Sequence, residues 1–421
     1  MTGVFQRRRE FLPLERGTEV YDVIVVGAGP VGSYLAYRLG KQGYKVSVFE
    51  RRPVVGEAVC CTGIVSKECL DRFAISDTTV AAPANSCRVF SPSGKLLRLR
   101  KETPQAYVIN RPAFDDALAR KAQEAGADYF LSTKVAGVTL VDHRVRAEVE
   151  FRGKTRMVEG EVVIMSNGFG FSLPRRLGLG QVGDFVLGAQ AEVSAVGVDD
   201  VEVYLGQDVA PGFFAWLVPT SPTRALVGVL SRRRPGLYMR RLLSKLFAQG
   251  KIASPEAEVN YGGIPLRPLP KTHGERMVVV GDAAGQVKPT TGGGIYYGLL
   301  CADVAVDTIH EAMCAGDFSA RRLNSYEKRW RRMLGRDLLI GYWGRRLYEG
   351  LSDQRIDHIF DVIQSNGIHE ELLQSPDFSF DWHGNSILSL VKHRAVRQAI
   401  WSMTKSVLPF RKTSQPDSGR R

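Results

Sequence analysis

Two strand–glycine–helix junctions, far apart in the chain, constrain what it can fold into more than any other feature. The first runs from Tyr21-Asp22-Val23-Ile24-Val25-Val26 straight into Gly27-Ala28-Gly29-Pro30-Val31-Gly32. The apolar run reads as a strand buried in a parallel sheet. Ser33 to Lys41 then reads as a helix with Tyr34, Leu35 and Leu39 inward, and Lys45 to Glu50 as a second strand ending in an acid. In such a unit one glycine makes the tight turn, one lets backbone approach a pyrophosphate, and one permits close helix–strand packing. Glu50 stands where a carboxylate accepts from ribose hydroxyls. Arg51 and Arg52 stand to face adenosine phosphates or solvent. The pattern predicts a dinucleotide site built on Gly27, Gly29 and Gly32. The segment Gly178 to Gly183 has the same glycine spacing, but it follows a polar, proline-containing loop and reads as a loop itself.

The second junction runs from Met277-Val278-Val279-Val280 into GDAAGQVKPTTGGGIYYG, residues Gly281 to Gly298. It predicts a buried strand, a glycine turn and a helix starting near Gly292, whose N-terminus gathers backbone N–H groups and a positive dipole end. Asp282 at the strand tip presents a carboxylate to a neighbouring hydroxyl or N–H. An ordinary turn capped by Asp has the same pattern. The remote partner at residues 27–32 favours a cofactor site split between two distant segments.

A length of 421 residues points to two domains or one large interleaved unit. The six cysteines, Cys60, Cys61, Cys69, Cys87, Cys301 and Cys314, show no CxxC pair or zinc-type spacing with histidine. They read as reduced thiols of a cytoplasmic protein, and no metal site is expected. The net charge of +13 is concentrated late: nine Lys/Arg against two acids in residues 321–346, and eight against two in residues 381–421. Such an excess fits an anionic membrane surface or an acidic small molecule. No nucleic-acid motif accompanies it. No apolar run is long enough to cross a bilayer, and the first residues lack an apolar signal core.

Between the junctions, Gly56 to Ser66 carries adjacent cysteines beside glycine and serine, a loop suited to redox work, proton donation or close packing on a ring. Residues 85–100 read as a hairpin turned at Pro92-Ser93-Gly94. Arg111 opens a helix after Tyr107 to Asn110, placed to reach a phosphate or flavin edge or to pair with Asp115 or Asp116. Val162 to Met165 is another buried strand, ending at Ser166-Asn167-Gly168. Residues 184–230 are strand-rich, and alternation in Pro211 to Pro219 sets Phe214, Trp216 and Val218 on one face. That face is either sheet core under helices or the wall of an apolar substrate pocket. Past residue 300 the chain reads as helices over Cys301–Ala315, Ser319–Arg332 and Leu334–Tyr348, then shorter ones. Trp382, Trp401 and Phe410 recur there with Lys392, Arg394, Arg397 and Lys405, a pattern that fits an interfacial helix or a docked helix with a solvated basic face.

The order of these devices resembles flavoproteins of the para-hydroxybenzoate hydroxylase fold, and within them the geranylgeranyl reductase family. VCCTGIVS resembles that family's Cys-x-x-Gly segment, GDAAGQVKPTTGGGIYYG its late flavin segment, and PGFFAWLVP its PxxYxWxFP substrate segment. Phe214 replaces the usual Tyr, Val218 replaces Phe, and Ser166-Asn167-Gly168 replaces Ala-Asp-Gly. The resemblance covers roughly residues 20–320. It implies an α/β fold in which a Rossmann-like FAD-binding domain (residues 20–75, 105–175 and 271–320) is interleaved with an antiparallel β-sheet substrate domain (76–104 and 176–270). A helical C-terminal region (321–410) follows, with residues 1–19 and 411–421 flexible.

By position, the resemblance implies FAD bound through Val31, Glu50, Cys60, Cys61, Gly63, Arg111, Asp282, Gly294 and Ile295, with Gly27, Gly29, Gly32, Arg51, Gly281 and Gly293 completing the cradle. Phe214, Trp216 and Pro219 would hold substrate, a polyprenyl lipid or prenyl diphosphate. Reduction of an isolated C=C bond takes hydride from flavin N5 and a proton from a nearby donor, for which Cys60 is the candidate. NAD(P)H or reduced ferredoxin would supply the electrons. The expected location is cytoplasmic, peripheral on the membrane face, and oligomeric state is left open. Two other readings stand beside this one. Phe214 to Pro219 also resembles the WxWxIP segment of flavin halogenases, which brings in a halogenase or monooxygenase. The fold also serves non-catalytic isoprenoid carriers.

Overall fold

In the computed structural model the described residues are 20–170, 172–375 and 378–398. The termini expected to be flexible, and Trp401, Lys405 and Phe410, lie outside them. Both junctions sit in one eight-stranded sheet. The strands Met277–Val279, Lys154–Met165, Val20–Val26, Val46–Phe49 and Asp128–Phe130 run parallel in that order. Their central members are apolar at nearly every position because they are covered on both faces. On one face lie the helices Pro30–Lys41, Arg111–Glu124 and Ile295–Ala315. On the other, the antiparallel strands Thr133–Val141 and Arg144–Phe151 pack Val138, Val145 and Val149 against Ile24, Val163 and Met165.

A second, seven-stranded sheet takes the order Asn260–Pro265, Phe185–Ser194, Arg224–Ser231, Ala215–Ser221, Val201–Tyr204, Ser86–Phe90, Leu96–Arg100. The expected hairpin at residues 85–100 forms its far edge. Ala215, Leu217, Val227 and Val229 face the helix Pro235–Ala248, which buries Met239, Leu242, Leu243 and Leu246 against them. A small sheet of Ile64–Ser66, Ala106–Ile109 and Val80–Ala84 joins the two.

The two helices expected over Ser319–Arg332 and Leu334–Tyr348 are one continuous helix, Ala320–Glu349. Gly335 lowers helix propensity locally, but Leu323, Tyr326, Trp330, Leu334 and Leu338 form an unbroken inward stripe through it. This helix belongs to the main core. Trp330 donates from Nε1 to the Thr272 hydroxyl at 2.9 Å, and Tyr326 donates to the Val279 carbonyl at 2.8 Å. Gln286 donates to the Tyr326 oxygen at 2.8 Å and accepts from the Gly281 N–H at 2.7 Å, which pins the second glycine turn to the core.

The first turn is closed by contact. A β-carbon on Gly32 would lie 1.9 Å from the Gly27 carbonyl oxygen and 2.7 Å from the Ser166 hydroxyl. Gly32→Ala is therefore expected to destabilise the fold by at least about 1–3 kcal/mol. Urea unfolding checks this, and an unchanged midpoint would show that the turn has room.

Candidate active site

Both junctions open into one cavity of about 760 Å³. Its first edge is backbone: Gly27, Ala28, Gly29, Pro30 and Val31 line it, followed by Glu50 and Arg51 beyond the second strand. Nothing lies within 4 Å of where a β-carbon on Gly29 would stand, so the main chain is open to close approach there. Glu50 accepts from the Ala28 and Arg52 N–H groups at 3.0 Å each, which fixes its carboxylate beside the turn. Gly32 and Gly281, expected in the cradle, do not line the cavity. Gly32 sits under the Gly27 carbonyl, and Gly281 packs against Val31, whose Cγ2 would be 3.1 Å from a β-carbon there. Their smallness shapes the cradle from behind.

The cysteine loop comes next, with Cys60, Cys61 and Gly63 on the cavity. Cys60 rests on glycine backbone of the second sheet: β-carbons on Gly262 and Gly188 would lie 3.1 Å from its Cβ and 3.7 Å from its Sγ. Burial pushes the Cys60 thiol up to about 12, so it stays protonated at neutral pH. Arg111 lines the cavity but is held by a bidentate ion pair to Asp115, 3.0 Å on each arm, and touches Cys61. Burial works against its charge, and Asp115 and Cys61 more than offset that.

At the second junction Asp282 faces the cavity with Gly293, Gly294 and Ile295. Burial pushes its carboxyl up to about 6, although the Arg111 charge pulls the other way. Among the described residues its side chain has no hydrogen-bond partner. The carboxyl lies so close to the turn that a β-carbon on Gly294 would stand 2.4 Å from Oδ1. The helix begins at Ile295, later than the expected start near Gly292. Gly292 donates back to the Lys288 carbonyl at 2.8 Å and Lys288 donates to the Gly293 carbonyl at 3.1 Å, which closes a tight loop first.

The second sheet is two-faced. Opposite the face under its helix, each of its seven strands turns a residue to the cavity. Gly262, Gly188 and Leu230 lie in register at one end, and Trp216 and Val203 pair in the middle. Val201, Cys87 and Leu99 pair toward the far edge. Phe214, Trp216 and Val218 all line the cavity, so this face forms part of its wall. The Trp216 indole crosses Gly228, where a β-carbon would meet it at 2.1 Å. Pro219 does not line the cavity, because alternation along its strand turns it to the side of Ala215 and Leu217.

Sequence reasoning missed what the C-terminal region adds. Lys288 reaches across to the buried Asp381 at 2.7 Å, and both line the cavity. Tyr297 donates to the Asp381 carbonyl at 3.0 Å, and Trp382 packs on Tyr297 with ring centroids 5.6 Å apart. His383 lies at 2.8 Å from the Phe380 carbonyl through Nε2 and contacts the Thr290 hydroxyl through Nδ1. A lysine inside a glycine turn was the one available signal; nothing near Asp381 marks it as the partner.

This architecture is that of the FAD-dependent oxidoreductases. The crystal structure of a geranylgeranyl bacteriochlorophyll reductase-like protein from Thermoplasma acidophilum matches with a TM-score of 0.81 and 26% identity, covering 92% of this chain and 100% of that one. A flavin-dependent halogenase matches with a TM-score of 0.65 and 18% identity, covering 93% and 78%, and shows the fold alone. The family model described as lycopene cyclase protein matches residues 22–365. Digeranylgeranylglycerophospholipid reductases of Methanosarcina acetivorans and Methanothermobacter thermautotrophicus are 32% and 33% identical, over 82% and 83% of this chain and 89% and 93% of theirs. The chain belongs to the geranylgeranyl reductase family.

Two outcomes follow for the strap over the second junction. Lys288→Ala or Asp381→Ala leaves a buried charge unpaired and is expected to cost about 3–5 kcal/mol in urea unfolding. A loss below about 1 kcal/mol would place the pair in solvent. His383, pushed from 6.5 down to about 4 by burial and then by Lys288, binds a proton more readily unfolded than folded. Its contribution is nil above about 6.5, and destabilisation grows as pH falls toward 4. Asp282 acts oppositely between 3.8 and about 6, so the readout is the difference from His383→Asn, which should lose the acid-labile limb.

Proposed function

We propose that this chain is an FAD-dependent reductase that hydrogenates C=C double bonds of a polyprenyl, geranylgeranyl-type lipid or prenyl precursor. The observation that carries the reading is the continuity of the cavity. A backbone cradle of cofactor type and an apolar sheet wall share one space, and Cys60 stands where they meet. The names of the relatives support the same substrate class.

The residues fit FAD. Open backbone at Gly29, a held carboxylate at Glu50, and the unpartnered Asp282 match pyrophosphate, ribose and ribityl hydroxyls in turn. Val31, Arg51, Cys61, Gly63 and Arg111 would border the same group, with Gly293, Gly294 and Ile295 at the helix N-terminus. FAD bound there supplies the hydride. The wall formed by Phe214, Trp216 and Leu230 excludes water and aligns an apolar chain that offers no polar handle. Cys60, a neutral thiol, is the proposed proton donor or positioning group at the reacting edge. NAD(P)H or reduced ferredoxin would supply the electrons.

Peripheral attachment to a membrane is part of the same reading. No described helix is long and apolar enough to cross a membrane. The helix Ala320–Glu349 exposes Arg332, Arg336, Leu339, Trp343, Arg346 and Leu347 along one side, a basic and apolar stripe suited to an anionic lipid surface.

Anaerobic incubation of reduced protein with candidate prenyl lipids should give products heavier by one hydrogen pair per bond reduced. No mass change with any of them would count heavily against the reading, and a colourless purified protein would favour a carrier. In the same assay Cys60→Ala should slow turnover at least about tenfold with FAD retained. Full turnover would remove Cys60 from the donor role.

A further inference from the structure

The cavity does not end in apolar surface. Past Leu99 its rim is formed where the chain crosses from the small sheet into the second sheet. Ser86 pairs with Arg100, the Lys101 N–H donates to the Asn85 carbonyl at 2.9 Å, and the Gln105 N–H donates to the Ala84 carbonyl at 3.1 Å. All six of these residues line the cavity. Neighbouring cations are already engaged: Arg98 with Asp200 at 3.2 Å and Arg88 with Glu202 at 3.3 Å. Arg100 and Lys101 have no acidic partner among the described residues. Lys101 is positioned by the Phe378 ring, 4.8 Å from its centroid. Of the acids lining the cavity, Asp115 pairs with Arg111 and Asp381 with Lys288. Arg100 also borders an adjoining cavity of about 670 Å³, in which the one acid, Glu370, is exposed and lies 3.9 Å from His369.

We infer that Arg100 and Lys101 form a binding site for the phosphate-bearing head of a prenyl amphiphile whose chain lies across the seven-stranded sheet. The span fits. From the Gly188 strand, under Cys60, to the Arg100 strand is five inter-strand spacings, about 24 Å at roughly 4.8 Å each, comparable with an extended geranylgeranyl chain. An apolar trough with two cations at its mouth selects a long apolar chain carrying an anionic end. This site lies on the hairpin edge of the second sheet. The inference rests on the prenyl-reductase reading for the occupant of the trough.

Binding to the oxidised, FAD-loaded protein in neutral detergent tests it without turnover, by calorimetry with three probes: geranylgeranyl diphosphate, digeranylgeranylglycerol phosphate and uncharged geranylgeraniol. At least one phosphate-bearing probe should bind about tenfold or more tighter than the alcohol, and the stronger of the two identifies the source of the phosphate. In the double variant Arg100→Ala/Lys101→Ala the preference should fall to within about twofold, with flavin absorbance and alcohol affinity unchanged, whereas Arg100→Lys/Lys101→Arg should keep it. No preference in the wild-type protein, or a preference that the alanine variant retains, overturns the inference. A protein that binds these probes as expected but shows no mass change in the turnover assay would refute the reductase reading and leave the headgroup site standing.

Discussion

The contact between two glycine turns is what the site depends on. Gly281 and Gly298 approach Val31 of the first turn so closely that β-carbons would stand 3.1 and 2.6 Å from its methyl group. Only at that separation do the strand tips at Val26 and Val279, flanking the Lys154–Met165 strand, deliver the Gly27–Val31 turn and Asp282 to the same cavity. The turn at Gly281 is not held by that contact alone. Gln286 and Tyr326 tie it to the Ala320–Glu349 helix, so a helix outside the cofactor-type sheet sets the position of a strand-tip carboxyl.

A similar dependence governs the electrostatics. Asp282 is raised by burial while Arg111, the nearest compensating charge, is committed to Asp115. The carboxyl is thus left short of donors where hydroxyls of a bound ligand can supply them. Lys288 and Asp381 solve the opposite problem. Each is buried, and each makes the other tolerable, at the seam where the C-terminal segment covers the glycine loop. Among the described residues no charged neighbour lowers the pKa of Cys60, and burial keeps it a thiol.

Much of this was legible in the residues. The two junctions, the acid at the second strand tip, the hairpin at residues 85–100 and the alternation of Phe214, Trp216 and Val218 each rest on local patterns of period and turn chemistry. The single helix through Gly335 was not legible, because an inward stripe overrides one weak helix former only when its core exists. Nor was the start of the helix at Ile295, which follows from hydrogen bonds closing the Lys288–Gly293 loop. Pro219 shares a motif with Trp216 but not its face.

The sequence by itself determined that a parallel sheet would carry a glycine turn with an acid beyond it, that a second such turn would follow much later, and that a strand-rich insert would separate them. These are consequences of backbone geometry and side-chain period, which act within a few residues. Only the tertiary structure decided which face of the insert lines the cavity, that Arg111 is spoken for by Asp115, that Lys288 meets Asp381, and that Arg100 and Lys101 line the same cavity as the two glycine turns. Those outcomes depend on what packs against each face and on which charges are left without partners, and neither is encoded in any one stretch of chain.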